Sequence, residues 1–226
     1  MMTRTIQDIG CVVMASGLSA RYGRNKLLED LGGKAVVVRV VDSLRAAGLA
    51  PVVVTRSDAV AALAERAGAR CARHDGPLKS DTMHVGINAL PPDAAGWLFM
   101  PGDQPLARPD TLRRLAAQFL SRPDRAVRLG YGDTPGSPVI FPAACREALL
   151  AYTGDRGGMD VLRKQRLPCD IVQAEYPWEL WDVDTPESME RARSACRYSS
   201  VSTIYGNVYE TREQGTVNRN SDCRPF

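Results

Sequence analysis

The chain has 226 residues, 44% of them hydrophobic and 24% charged, with a formal net charge of +3. Those proportions belong to a globular protein of one α/β domain, or of one domain with an appendage. So small a net charge argues against nucleic acid or a membrane surface as partner, and no apolar run approaches the roughly 20 residues that span a bilayer.

Residues 1–8 lack the apolar centre of a signal peptide. The six cysteines, at 11, 71, 145, 169, 196 and 223, form no CxxC or other metal-ligand spacing. The expectation is a cytoplasmic protein with reduced, structural thiols. His74 and His84 are the only histidines, which argues against a His-rich metal site or a His-dependent triad.

In chain order, residues 9–14 are an apolar run that reads as a buried strand. It opens into Met14-Ala15-Ser16-Gly17-Leu18-Ser19-Ala20-Arg21-Tyr22-Gly23-Arg24-Asn25-Lys26. Gly17 and Gly23 let the backbone approach an anion closely, and amides there can point at phosphate oxygens. Arg21 and Lys26 add fixed positive charge. The Walker loop is excluded, because Gly23 is followed by Arg-Asn-Lys rather than Lys-Ser/Thr. The dinucleotide fingerprint is excluded too, because Gly17 has no glycine two residues on.

Residues 35–47 are apolar on one side and stop at Gly48, which predicts a helix. Residues 51–55 read as a second buried strand. Ser57 can cap a helix over 58–66 that stops at Gly68. Residues 69–72 suit a third strand, and 80–90 a helix after a loop containing Asp75 and Gly76. Side-chain oxygens of Ser80 and Thr82 could reach a base or ribose there, or simply cap the helix. Residues 97–100 form another buried strand, ending in Pro101-Gly102-Asp103-Gln104-Pro105. A helix over 109–120 has Pro in its first turn. Strands at 126–131 and 139–141 are joined by a Gly-containing loop at 132–138. Helices follow near 143–151 and from the 154–158 loop to 166, with a strand around 171–172. Residues 181–184 read as a strand leading into Thr185-Pro186 and a helix to about 197. Residues 198–226 carry no helical period and are expected to be a polar tail outside the core. The expected domains are therefore 1–197 and the appendage 198–226.

Alternating strand and helix imply a Rossmann-like, doubly wound, mostly parallel sheet. Ligands of such sheets bind at the carboxyl ends of the strands. The loops at 14–26 and 101–105 both leave such ends and should share one crevice. Asp103 suits Mg²⁺, which takes one or two protein carboxylates plus phosphate oxygens, though capping its turn is an equal reading for the residue alone. Asp182 and Asp184 should face one side of a strand and repel unless a cation compensates. Asp184 is favoured as a second metal ligand over its alternative role as helix cap. Trp178 and Trp181 read as packing residues.

Six segments in order resemble the molybdopterin nucleotidyltransferases, in their molybdenum cofactor cytidylyltransferase-like branch. These are 14–26, Ser80-Asp81-Thr82 through Gly86, Pro101 to Pro105, Pro135-Gly136-Ser137-Pro138-Val139, Gly154-Asp155-Arg156-Gly157 and Asp182-Val183-Asp184-Thr185-Pro186. The resemblance covers residues 8–197. Three positions depart from the family pattern: Ser16 replaces the usual Ala or Gly, Ser137 a common His, and Met159 a common Arg. The resemblance implies a fold of the nucleotide-diphospho-sugar transferase type. It also implies transfer of CMP from CTP to the terminal phosphate of molybdopterin, with release of pyrophosphate. On that reading Ala15, Ser16, Gly17, Arg21, Lys26, Ser80, Thr82 and Asp103 bind nucleotide. Arg21, Lys26 and Asp103 act in catalysis, Asp103 and Asp184 hold Mg²⁺, and a molybdoenzyme or its chaperone receives the product. GTP or another nucleotide, a sugar or polyol phosphate acceptor, and a non-catalytic cofactor-binding protein of this fold are the competing expectations.

Overall fold

The computed structural model describes residues 4–17 and 22–205; past residue 197 it describes helical backbone only. Seven strands form one sheet: β1 Ile9–Met14, β2 Pro51–Thr55, β3 Arg70–Arg73, β4 Gly96–Pro101, β5 Ala126–Tyr131, β6 Thr134–Pro142 and β7 Cys169–Gln173. Their order is β3-β2-β1-β4-β6-β5-β7. Every neighbouring pair is parallel except those involving β6, which runs against both β4 and β5. The Rossmann-like expectation holds.

The helices are α1 Val36–Ala46, α2 Asp58–Arg66, α3 Lys79–Asn88, α4 Pro109–Ser121, α5 Arg146–Ala151, α6 Met159–Gln165 and α7 Pro186–Tyr205. Strand alternation divides the core between the two faces. Cys11, Val13, Leu98 and Met100 pack with residues of α1, α2, α4 and α7. Trp97 and Phe141 pack with Met83 and Ile87 of α3 and with Leu149, Val161 and Leu162 of α5 and α6. The β-branched run in α1 does not prevent a helix, because Val36, Val37, Val40, Val41 and Leu44 are all fully buried against the sheet and packing overrides propensity. Gly48 and Gly68 end α1 and α2 with φ of +92° and +85°, as C-terminal stops require. Gly86 lies so close to β1 that a Cβ would sit 2.4 Å from a methyl of Val12.

Winding starts at β1, steps outward to β2 and β3, and then returns to place β4 on the other side of β1. The direction of winding across the sheet therefore reverses between the parallel strands β1 and β4, and the loops that leave those two strands flank one crevice.

Three sequence expectations need correction. Residues 134–138 are not a loop but the first half of β6, with only Gly132 and Asp133 turning the hairpin. The reason is backbone pairing: Thr134 and Pro135 register with Tyr131 and Gly130, although two prolines and a glycine disguise the strand. Residues 181–184 are irregular backbone rather than a strand, so alternation does not set the directions of Asp182 and Asp184. The last helix continues to Tyr205, past the predicted stop near 197. The rest of the predicted tail, 206–226, and Cys223 with it, lies outside the described residues. Among the described residues, Cys11, Cys71, Cys145 and Cys169 are free thiols. Among the described residues no helix is long and apolar enough to cross a membrane.

Candidate active site

Three turns converge on the β1/β4 crevice. The first follows β1. Ala15 is buried, and its amide donates to the carbonyl of Val54 at 2.9 Å. Downstream, the side chain of Asn25 accepts from the Leu27 amide at 3.1 Å, which caps a single 3-10 turn over Lys26–Leu28. Leu27 anchors that turn in the core, and Lys26 is only 7% exposed. An ammonium so enclosed requires anionic partners.

The second turn follows β4. The amide of Gly102 donates to the carbonyl of Met14 at 3.0 Å. A Cβ on Gly102 would meet that same oxygen at 3.0 Å and the Cα of Ala15 at 3.3 Å. Glycine thus lets the two loops touch, and Asp103 is carried against Lys26. The third turn precedes α7. Its Val183 amide donates to the carbonyl of Asp103 at 2.9 Å, which brings the flanking Asp182 and Asp184 to the same place. Thr185, not Asp184, caps α7: its hydroxyl accepts from the Ser188 amide at 3.2 Å.

Lys26 Nζ donates to Oδ2 of Asp103 at 2.6 Å and to Oδ1 of Asp184 at 2.5 Å. Burial opposes its charge, but the two carboxylates outweigh burial and hold the ammonium above its ordinary pKa. Asp182 lies behind this pair. Burial, then the charge of Asp103, pushes its carboxyl pKa up, against a hydrogen bond from Gln104 Nε2 at 2.9 Å. The amide oxygen of Gln104 is buried without a hydrogen-bond partner.

A hard, all-oxygen carboxylate pair closing on one cation is the donor set that Mg²⁺ or Mn²⁺ takes when substrate phosphates complete the shell. Among the described residues no group of three or more His, Cys, Asp or Glu side chains could hold a metal ion by itself.

On the other side of the crevice, Ser16 Oγ lies 2.7 Å from Nε2 of His74, and Thr82 Oγ1 lies 3.2 Å from the same nitrogen. Arg56 holds the Ser16 carbonyl with two donors, at 3.0 and 2.6 Å. Ser80 instead faces inward. It is fully buried, exchanging bonds with Gly154 through its amide at 3.1 Å and its hydroxyl at 3.2 Å. That pair fastens the start of α3 to the 154–158 loop.

The structure thus brings Ala15, Ser16, Lys26, Asp103 and Asp184 around one crevice, with Gly17 exposed at its mouth and Thr82 joined through His74. Ser80 does not face that crevice. Arg21 lies outside the described residues. Sequence reasoning missed His74, Arg56 and Gln104 as parts of the site. The one usable signal was position, since all three follow the carboxyl ends of parallel strands. Trp178 stacks on Tyr176 with centroids 4.1 Å apart, and Arg191 covers Trp181 at 4.2 Å, so both indoles are packed as expected.

Residues 11–169 match the MobA-like NTP transferase domain family. A 111-residue stretch is 34% identical to a 3-deoxy-manno-octulosonate cytidylyltransferase of Xanthobacter autotrophicus, covering 47% of this chain and 44% of that protein. The chain therefore spans less than half the length of that curated relative. Among solved structures, Rv0371c of Mycobacterium tuberculosis superposes with a TM-score of 0.72 at 25% identity, over 83% of this chain and 98% of that one. A complex of Rv0371c with manganese gives 0.67 at 26% identity, over 83% and 98%. The nucleotidyl transferase Mth528 of Methanothermobacter gives 0.73 at 25% identity, over 84% and 98%.

Proposed function

We propose, from the premise that this chain belongs to the MobA-like NTP transferase domain family, that it is a cytoplasmic nucleotidyltransferase. In this reading it moves CMP from CTP to the terminal phosphate of molybdopterin and releases pyrophosphate. The observation that carries the reading is the meeting of Lys26, Asp103 and Asp184 where the sheet switches direction.

The chemistry asks little of the protein beyond position and charge. The acceptor phosphate is already an anion, so no general base is needed. One of its oxygens bonds to the α-phosphorus as the bond to the bridging α–β oxygen breaks, and the electron pair leaves with pyrophosphate. Negative charge crowds the crevice at that moment, and fixed cations there lower the barrier. Lys26 supplies a buried cation, and the backbone of 16–17 supplies amides. Arg21, outside the described residues, belongs to the same proposal. Asp103 and Asp184 would hold Mg²⁺, which when bound neutralises phosphate charge. The neighbour solved with manganese supports a divalent ion in this fold. The free thiols Cys11, Cys71, Cys145 and Cys169 suit a reducing compartment.

A second reading keeps CTP but replaces the acceptor with a sugar acid or sugar phosphate. The relative named as a 3-deoxy-manno-octulosonate cytidylyltransferase favours it. Pyrophosphate release decides between them. CTP and Mg²⁺ with molybdopterin should give turnover, while GTP, ATP and UTP, or CTP with sugar acids and sugar phosphates, give far less. Equal turnover with GTP would overturn the base assignment, and turnover with a sugar acceptor alone would establish the second reading. Absence of pyrophosphate release in every combination, with the nucleotide bound, would point to a non-catalytic carrier that passes cofactor to a molybdoenzyme or its chaperone.

A further inference from the structure

We propose that His74 is a positioning residue that sets the nucleotide-binding loop at 15–17 by clamping Ser16. The proposal rests on the nucleotide reading of the crevice and adds to it a device for holding one of its walls.

The Ser16 hydroxyl has a single proton, and it points at the carbonyl of Val54 at 3.1 Å. The 2.7 Å contact to His74 must then be donated by the ring, which assigns the imidazole proton to Nε2. Thr82 Oγ1, 3.2 Å away, sits on the same side of the ring. Nδ1 is left as a bare acceptor, buried and without a hydrogen-bond partner. Arg56 grips the Ser16 carbonyl. Ser16 is thereby fixed at both its side chain and its backbone, from β2 and from the loop after β3. This is more restraint than a solvent-facing loop needs, and it falls where amides must be pre-aimed at phosphate or base.

A neutral ring suits the clamp, because both nitrogens of the charged ring are donors and Nδ1 has no acceptor. Protonation would put a hydrogen on Nδ1, which has no acceptor there, and would set a second cation near Arg56. Burial and then Arg56 hold the His74 pKa below its ordinary value, against Asp81 at the start of α3 and Asp75 in its own loop. At neutral pH the ring is therefore an uncharged donor to Ser16. As pH falls through that lowered pKa, the clamp opens and nucleotide affinity falls with it.

The test compares the wild-type chain with His74→Ala and His74→Gln, measuring KM and kcat by pyrophosphate release and CTP affinity by calorimetry, from about pH 5.5 to 8. His74→Ala should raise KM and Kd for CTP about tenfold, the size of one lost hydrogen bond, while kcat stays within about threefold. Glutamine carries an N–H donor near the place of Nε2 and cannot titrate. His74→Gln should restore most of the affinity and abolish the part of the acid-side KM rise that wild type shows beyond the titration of CTP itself. Unchanged KM and Kd in His74→Ala, or a fall in kcat alone, would overturn the proposal. Should the alanine variant fail to fold, an identical pH profile for wild type and His74→Gln would overturn it as well. A wild-type chain that binds no nucleotide at all would instead overturn the function proposed above, and this inference with it.

Discussion

Lys26 and Asp103, 77 residues apart in sequence, meet with Nζ and Oδ2 separated by 2.6 Å. The contact joins the loop after β1 to the loop after β4 across the line where the sheet reverses its winding. With Asp184 on the other side of the ammonium, it forms a small electrostatic centre in which the ammonium is buried and the two carboxylates keep partial access to solvent.

Replacing Lys26 by methionine keeps the length of the side chain and removes its charge. Turnover should fall by about 10²–10³, the usual cost of deleting one group that stabilises transition-state charge. Circular dichroism should show the fold intact. Full activity in this variant would remove the loop from the mechanism.

Asp103→Asn and Asp184→Asn each take one anionic oxygen from the pair. Both should raise the Mg²⁺ concentration needed for half-maximal activity by about tenfold or more, with Asp103→Asn the more severe. Asp103 is tied on either side into neighbouring loops, through Gly102 to Met14 and through its own carbonyl to Val183, so it has less freedom to compensate. A metal titration of pyrophosphate release measures this. Coincident titration curves for mutant and wild type would assign the ion elsewhere.

Asp182 yields a pH prediction of opposite sign to the usual carboxylate. Its folded pKa is raised, by burial first and by Asp103 next, so its ionised form is a cost to the native state. That cost is present above the folded pKa and vanishes as pH falls through it. Asp182→Asn keeps an oxygen for the Gln104 donor and drops the charge. At pH 7 it should melt higher than wild type, by about 2–4 °C for each kcal/mol relieved in a domain of this size. The gap should close at acid pH. A variant that melts lower at pH 7 would mean that the ionised group is stabilised there.

Glu179 has no exposed surface, yet carries a carboxylate. Its Oε2 accepts from the Arg108 amide at 3.1 Å, and its Oε1 accepts from the amides of Glu175 and Tyr176 at 2.9 and 3.2 Å. It staples the turn before Asp182 to the start of α4. Glu179→Ala would leave three amides unsatisfied and should cost about 2–4 kcal/mol of stability, read by denaturant unfolding. Turnover should fall in parallel, because the turn presents Asp182 and Asp184. A stability change under about 0.5 kcal/mol, the range of an ordinary surface substitution, would contradict the staple.

The linear sequence determined the parts of this protein whose physics is local. β1 and β2 are continuous apolar runs because both faces of a parallel strand are covered, and Gly48 and Gly68 end helices because the next residue must take a positive φ. The family pattern, carried by short motifs at strand ends, was legible for the same reason. Lys26, Asp103 and Asp184 stand out in the sequence as candidate site residues, yet only the winding order puts both carboxylates within one hydrogen bond of Lys26. Other features had no local signature. Thr134 to Pro138 looked like a loop and became strand because β5 offered a backbone to pair with. Ser80 looked like a ligand contact and is turned inward by Gly154. His74 carries no local signature of a role, since its meaning comes from Ser16 and Thr82 arriving at one ring nitrogen from two other segments. Such meetings depend on which strand lies beside which, a choice made by the packing of the whole sheet.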